Sequence, residues 1–141
     1  MGFRMIMISA CLAGVRCRFD GASKPNEKVI ELVRQGKAVL VCPEQLGGMP
    51  TPRVPSEIVG KKVMSKEGKD VTANFILGAE EALKIAKMYG CKEAILKQKS
   101  PSCGSGVIFD GTFSKKKIKG DGMFARLLKK NGIKVRTEED I

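Results

Sequence analysis

The N-terminal part of the chain begins with an apolar segment, after which the spacing of apolar residues becomes that of a helix. The run from Met5 to Ser9 has the length of a β-strand, and a polar stretch containing glycine follows it. Pro25 suits the first turn of a helix whose apolar face is formed by Val29, Ile30, Leu32 and Val33. Gly36 suits the position just past the helix end, and the apolar run Ala38–Val41 predicts a second strand.

The same order of helix, glycine and strand is repeated in the middle of the chain. Thr72 is the predicted N-cap and Gly90 the predicted end of a helix, and Ala94–Lys97 is the predicted strand after it. Its apolar stripe consists of Phe75, Ile76, Ala79, Ala82, Leu83 and Ala86.

A third round closes the chain and defines the fold class. Asp121 is the predicted cap of a helix that carries Met123, Phe124, Leu127 and Leu128, Gly132 ends it, and Ile133–Val135 is the last strand. Strands that alternate with amphipathic helices predict an α/β fold, a Rossmann-like open parallel sheet with helices on both faces. The length of 141 residues suits a single domain, 1–141.

Two connections depart from this alternation. The segment Cys42–Val71 is about 30 residues long with four prolines, and a loop of that length predicts a functional element. Val107–Phe113 predicts a short extra strand or hairpin arm with a turn at Asp110–Gly111. The lysines at 115, 116, 117 and 119 are interpreted as decoration of a solvated turn.

The residue content narrows the chemistry. There is no histidine, which excludes Ser-His-Asp triads, Cys-His dyads and His-ligated zinc or haem, so a metal would be bound by sulfur or oxygen. The net charge of +11 invites a nucleic-acid partner, but one tyrosine and no tryptophan do not favour it. No apolar run reaches membrane-spanning length, and no signal peptide is expected, which predicts a cytoplasmic protein.

Three of the five cysteines are predicted to meet at one edge of the sheet. Cys11 follows the first strand within two residues, Cys42 ends the second, and Cys103 lies six residues past the end of the third. The carboxyl ends of parallel strands form the ligand-binding edge of such a fold. Cys91 precedes the third strand, at the opposite edge, and is interpreted as a small core residue. Cys17 lies in the first loop, near enough to Cys11 to substitute as a ligand.

Free cysteines are also common core residues, which is the alternative explanation for all three. The turn-forming residues around Cys42 and Cys103 favour a shared site instead. Three thiolates without histidine suit an iron–sulfur cluster with one open iron better than a four-ligand zinc site. Nearby Lys97, Lys99 and Arg16 would balance the negative charge of such a cluster.

Four motifs resemble the 2-thiouracil desulfurase family. They read SACLAGVRCRFDG at 9–21, CPEQLGGMPTPR at 42–53, GKDVT at 68–72 and KSPSCG at 99–104. The resemblance implies an oxygen-sensitive [4Fe-4S] cluster on Cys11, Cys42 and Cys103, whose free iron takes the sulfur of a thiolated pyrimidine while water supplies the oxygen. The expected partner is therefore a small thiolated pyrimidine such as 2-thiouracil.

Replacing C–S by C–O also requires a proton donor or acceptor, which histidine does not supply here. Glu44, two residues after Cys42, is the leading catalytic candidate, and Ser100 is the second; acidic and serine residues in these motifs resemble the catalytic groups of the family. Lys97, Lys99 and Ser102 are the predicted substrate-binding residues. A turn or ion-pair role for Glu44 and a turn hydrogen bond for Ser100 are the structural alternatives.

Two other functions stay open at this point. One is a metal-binding structural or sensor protein that uses the cysteines without turnover. The other is a basic module that binds thiolated RNA, for which binding would weaken steeply with salt.

Overall fold

The computed structural model describes residues 4–141. In chain order the elements are β1 (Ile6–Ser9), a 3₁₀-helix (Ala10–Ala13), α1 (Glu27–Arg34), β2 (Ala38–Val41), α2 (Pro43–Leu46), β3 (Ser56–Val59), β4 (Lys62–Ser65), α3 (Thr72–Met88), β5 (Glu93–Leu96), β6 (Val107–Phe109), β7 (Lys117–Lys119), α4 (Met123–Lys130), β8 (Lys134–Thr137) and a second 3₁₀-helix (Glu138–Asp140).

The main sheet is parallel and carries helices on both faces, which confirms the predicted fold class. Its strand order is β2-β1-β5-β8. Neighbouring residues of β1 point to opposite faces, as strand geometry requires. Met7 packs in the core formed with α3 and α4, whereas Ile8 packs in the core formed with α1. No helix within residues 4–141 is long and apolar enough to cross a membrane.

Three predicted helix starts are wrong in detail. Pro25 lies before α1, because Asn26 is the N-cap and its side chain accepts hydrogen bonds from two backbone N–H groups of the first turn. Thr72 is the first residue of α3 rather than its cap, and its hydroxyl accepts a hydrogen bond from the Val63 N–H. Asp121 does not cap α4, because the N-cap of that helix is Gly122. The Asp121 carboxylate instead accepts hydrogen bonds from the Lys129 side chain and the Gly106 N–H.

The two unusual connections contain more regular structure than the sequence pattern indicated. The 42–71 segment holds α2 and the antiparallel hairpin β3–β4. The lysine-rich stretch is not only a turn, since Lys117 and Lys119 belong to β7, which pairs with β6. The predicted short strand in 107–113 is present as β6. Sequence reasoning missed β3, β4 and β7, because polar residues interrupt each of these short strands and no continuous apolar run marks them.

Candidate functional site

The cavity at the carboxyl edge of the sheet collects cysteines from three different strand ends. Cys11 lies in the 3₁₀-helix after β1, Cys42 is the N-cap residue of α2 after β2, and Cys103 lies in the loop after β5. Residues 61 positions apart meet there because β2, β1 and β5 are neighbours in the sheet. All three residues line a cavity of about 470 Å³, a volume suited to a small molecule.

Cys17 also lines this cavity, whereas Cys91 does not. The Cys42 thiol donates a hydrogen bond to the Cys17 carbonyl over 3.6 Å, so the first loop is held against the end of β2. Cys91 is buried in the core with residues of α3 and α4, two residues before β5. The site therefore contains four cysteines, one more than the three strand-end residues that the sequence singled out.

The surroundings of Cys17, Cys42 and Cys103 raise the pKa values of these three thiols in the metal-free protein. Hydrogen bonding with the Cys11 side chain raises the pKa of the Cys17 thiol to about 11. Hydrogen bonding with Cys17, followed by burial, raises the pKa of Cys42 far above its ordinary value. Burial raises the pKa of Cys103 to about 12. A metal bound by these residues would displace their protons, as thiolate ligation requires.

The arrangement of donors fits a cluster better than a single metal ion. Within residues 4–141, no three His, Cys, Asp or Glu side chains converge closely enough to hold one ion. A single ion needs every sulfur at about 2.3 Å, whereas a cluster spreads its thiolates over separate irons. Several thiol donors around one cavity, in a chain with no histidine, therefore match the ligand chemistry of an iron–sulfur cluster.

Glu44 is one of two acidic residues that line the cavity, with Glu57, and its carboxylate is held from two sides. Its Oε1 accepts a hydrogen bond from Arg53 Nε at 3.0 Å, and its Oε2 accepts one from Ser100 Oγ at 3.4 Å. The Arg53 side chain is 4% exposed and also donates to the Cys17 carbonyl at 2.9 Å. The ion-pair alternative for Glu44 is thus present in the structure, with an arginine rather than a lysine.

The short helix α2, which carries Glu44, lies in very close contact with α3. A Cβ atom on Gly78 would overlap the Pro43 carbonyl, and a Cβ atom on Gly47 would overlap the Asn74 carbonyl. The Asn74 side chain donates to the Gly47 carbonyl at 2.9 Å. Because two glycines face each other, the backbones approach closely enough to fix α2, and with it the position of Glu44.

A buried amide holds the loop that carries Ser100 and Cys103. Gln98 is 8% exposed, and its side chain makes three hydrogen bonds, one with the Lys99 N–H and two with the backbone of Ser105. Inside this closed loop, Ser100 Oγ accepts hydrogen bonds from the N–H groups of Ser102 and Cys103, both at 3.0 Å. The turn role considered for Ser100 is therefore real, and it coexists with the contact to Glu44.

The predicted substrate-binding residues fall into two groups. Lys97 and Lys99 line the cavity and pair with the C-terminal 3₁₀-helix, Lys97 with Glu138 at 2.9 Å and Lys99 with Glu139 at 3.5 Å. Ser102 is 1% exposed and is not among the residues that line the cavity, because the turn directs it into the protein. Contact between Ser102 and a bound substrate is therefore not supported.

Sequence reasoning missed Arg53 and Gln98 as residues that organise the site. Arg53 is the last residue of the 42–53 motif, so the motif itself was a signal. Nothing in the sequence, however, indicates that Arg53 pairs with Glu44. Gln98 gives no sequence signal, since its importance depends on the path of the loop that it closes.

An open parallel α/β sheet with a cysteine-lined cavity at its switch point defines a cofactor-binding domain of the Rossmann-like class. The model of the family described as 2-thiouracil desulfurase matches residues 6–140, and the chain belongs to that family. A solved structure described as "[4Fe-4S]-dependent thiouracil desulfidase TudS" has 42% sequence identity and a TM-score of 0.95; the match covers 99% of this chain and 93% of that one. The "Uncharacterized protein YbbK" of Bacillus subtilis (strain 168) is 45% identical over 97% of both chains.

Proposed function

We propose that this protein is a [4Fe-4S]-dependent desulfurase that converts 2-thiouracil or a related thiolated pyrimidine to its oxygen analogue. The observation that carries the proposal is the meeting of Cys11, Cys42 and Cys103 with the fixed carboxylate of Glu44 in one cavity. The overall reaction exchanges ring C–S for C–O with water as the oxygen source, releases sulfide and involves no net oxidation or reduction.

In this proposal Cys11, Cys42 and Cys103 hold the cluster and Cys17 does not. The three lie in the segments that follow the carboxyl ends of β1, β2 and β5, whereas Cys17 lies further along the first loop, where Arg53 and Cys42 donate hydrogen bonds to its carbonyl. When bound, the cluster supplies an open iron that acts as a Lewis acid towards sulfur. Three ligands leave one such iron free.

Glu44 is the proposed proton-transfer group, oriented by Arg53 and Ser100. The buried guanidinium holds Oε1 at 3.0 Å, which leaves Oε2, in contact with the Ser100 hydroxyl, to hold or accept a proton in the cavity. Ser100 is the second catalytic candidate because its hydroxyl connects the carboxylate to the loop that carries Cys103.

Lys97 and Lys99 are the proposed substrate-binding residues and supply positive charge at the cavity edge. Each lysine forms an ion pair with a glutamate of the C-terminal 3₁₀-helix, so both side chains remain close to the cavity rather than extending into solvent. Negative charge that develops as sulfur leaves the ring is stabilised by such groups.

We also place this activity in one domain, 1–141, in the cytoplasm. The three proposed ligands all lie at one edge of a single sheet, and free cysteines with a metal cluster suit a reducing compartment.

The test is anaerobic purification followed by metal analysis and turnover. We expect about four iron and four sulfide per chain, and conversion of 2-thiouracil to uracil with release of sulfide. Zinc in place of iron would overturn the proposal in favour of a structural metal protein. Iron–sulfur content without turnover of any thiolated pyrimidine would favour a sensor.

A salt titration separates the enzyme from an RNA-binding module. Counterion release makes nucleic-acid binding fall steeply with salt, whereas a free base carries no phosphates. Turnover of 2-thiouracil is expected to change little between about 50 and 200 mM salt.

A further inference from the structure

Backbone strain is concentrated around the cavity. Among residues 4–141, the non-glycine residues with positive φ are Lys99, Phe113 and Lys115, with φ of 70°, 58° and 65°. All three line the cavity. Such conformations are unfavourable for residues with a side chain and persist where surrounding contacts enforce them, which is typical of ligand-binding segments.

Two of these strained residues, Phe113 and Lys115, lie in the connection between β6 and β7, residues 110–116. The family motifs do not include this connection. Glu57 of β3 holds this connection: its Oε1 accepts hydrogen bonds from the N–H groups of Gly111 at 3.0 Å and Phe113 at 3.1 Å. Glu57 is only 9% exposed. A Cβ on Gly111 would lie 2.7 Å from the Ile58 carbonyl, so the connection is packed directly against β3.

The consequence of this arrangement is an aromatic ring fixed in the cavity wall. Phe113 is half-buried and lines the cavity together with Phe109, the last residue of β6. Phe113 has a backbone conformation that phenylalanine rarely adopts, and its N–H is bound by the buried carboxylate of Glu57. An ordinary surface loop would need neither.

We propose that Phe113 is a substrate-binding residue whose ring packs on the face of the pyrimidine, and that Glu57 is the positioning residue that holds it there. This inference rests on the proposed function, because it takes the thiolated pyrimidine as the ligand. A flat aromatic ring is the natural partner for a phenylalanine face, and this contact does not depend on the sulfur.

The first test compares Phe113→Ala and Phe113→Leu with the wild-type holoenzyme. Removing base–aromatic stacking typically costs about 1–3 kcal/mol, so the KM for 2-thiouracil should rise roughly 5- to 150-fold. The inhibition constant of uracil should rise by the same factor because uracil shares the ring, while kcat changes less than about 2-fold. Phe113→Tyr keeps the ring and should resemble the wild type.

Ile118→Ala is the matched control, since Ile118 lies on the neighbouring strand β7 and is not among the cavity residues. An unchanged KM in both Phe113→Ala and Phe113→Leu, with iron content intact, overturns the inference. Failure of the proposed function is a different result, in which the iron-loaded wild type does not desulfurate the base at all.

Glu57 supplies a second test. Glu57→Ala removes both hydrogen bonds to the 110–116 connection and should raise the KM as Phe113→Ala does, whereas Glu57→Gln retains an acceptor oxygen and should have a smaller effect. If Glu57 acts through Phe113, the double variant Glu57→Ala with Phe113→Ala should be no worse than the more affected single variant. Fully additive effects on KM would show that Glu57 does not position Phe113.

Discussion

Glu44 combines three properties that are seldom found together in a surface carboxylate. It is largely buried, it is ion-paired with an arginine that is itself 4% exposed, and it contacts the hydroxyl of Ser100. Breaking a buried ion pair by removing one partner leaves the other charge uncompensated. At the scale of single residues, the pair of Glu44 and Arg53 therefore serves both the stability and the proposed chemistry of the site.

Replacement of Glu44 by glutamine should preserve the cluster and lower the rate. Glutamine keeps the shape and can still accept a hydrogen bond from Arg53, but it cannot carry a proton between water and substrate. We expect kcat to fall by about 10² to 10⁴ with the iron content unchanged. Glu67→Gln, a change at an exposed acid between β4 and α3, is the control. A rate near that of the wild type across pH 6 to 8 would remove Glu44 from its role.

Serine substitutions separate the proposed ligands from the other cysteines. A hydroxyl is a poor replacement for a soft thiolate on iron, so Cys11→Ser, Cys42→Ser and Cys103→Ser should each lose the cluster, measured as iron per chain and visible absorbance. Cys91→Ser should retain it, because Cys91 is buried in the core away from the cavity.

Cys17→Ser tests whether Cys17 or Cys42 is the third cluster ligand, since these two cysteines are in contact in the cavity. We expect it to retain iron. Loss of iron in Cys17→Ser together with retention in Cys42→Ser would show that Cys17, not Cys42, is the third ligand.

At the scale of elements, the position of α2 is set by its contact with α3. Gly78 lies inside α3, where glycine normally costs about 1 kcal/mol relative to alanine. Glycine is nevertheless required at position 78, because a side chain there would overlap the Pro43 carbonyl. The same contact places Cys42 and Glu44, which lie at the beginning of α2.

Gly78→Ala should therefore destabilise the protein although it raises helix propensity. Overpacking typically costs about 1–3 kcal/mol, so the melting temperature should fall by several degrees, and displacement of α2 should lower the iron content. Glu80→Ala on the exposed side of α3 raises helix propensity as well and serves as control. A higher melting temperature for Gly78→Ala would mean that the two helices have room to separate.

At the scale of the whole molecule, the sheet brings thiols together that are costly to ionise without a metal. The pKa values of Cys17 and Cys103 are raised from 9.0 to about 11 and about 12. A group whose pKa is higher in the folded state stabilises the fold below its unfolded pKa, and this contribution is lost as the pH rises towards the folded value.

The metal-free, reduced protein should accordingly lose stability as the pH rises from about 9 towards 11. Thermal unfolding at a series of pH values measures this loss, and Cys103→Ser should show a weaker dependence because one of the shifted thiols is gone. Equal pH dependence in the two proteins would show that the Cys103 thiol does not contribute.

The sequence by itself determined the repeated strand and helix order, the parallel α/β class and the strand-end positions of Cys11, Cys42 and Cys103. These features follow from local periodicity and from a general rule of parallel sheets, so they need no knowledge of contacts. The motifs, likewise local, were sufficient to indicate the family that the comparisons established.

Only the tertiary structure decided which polar groups meet. Three contacts show this: Glu44 pairs with Arg53, Gln98 closes the 98–105 loop, and Glu57 supports Phe113. In none of them does the spacing of the residues along the chain follow the period of a helix or a strand. The burial of Ser102 depends in the same way on the path of the loop that follows β5. Such contacts arise from packing of the complete chain, and the sequence pattern of any one segment does not contain them.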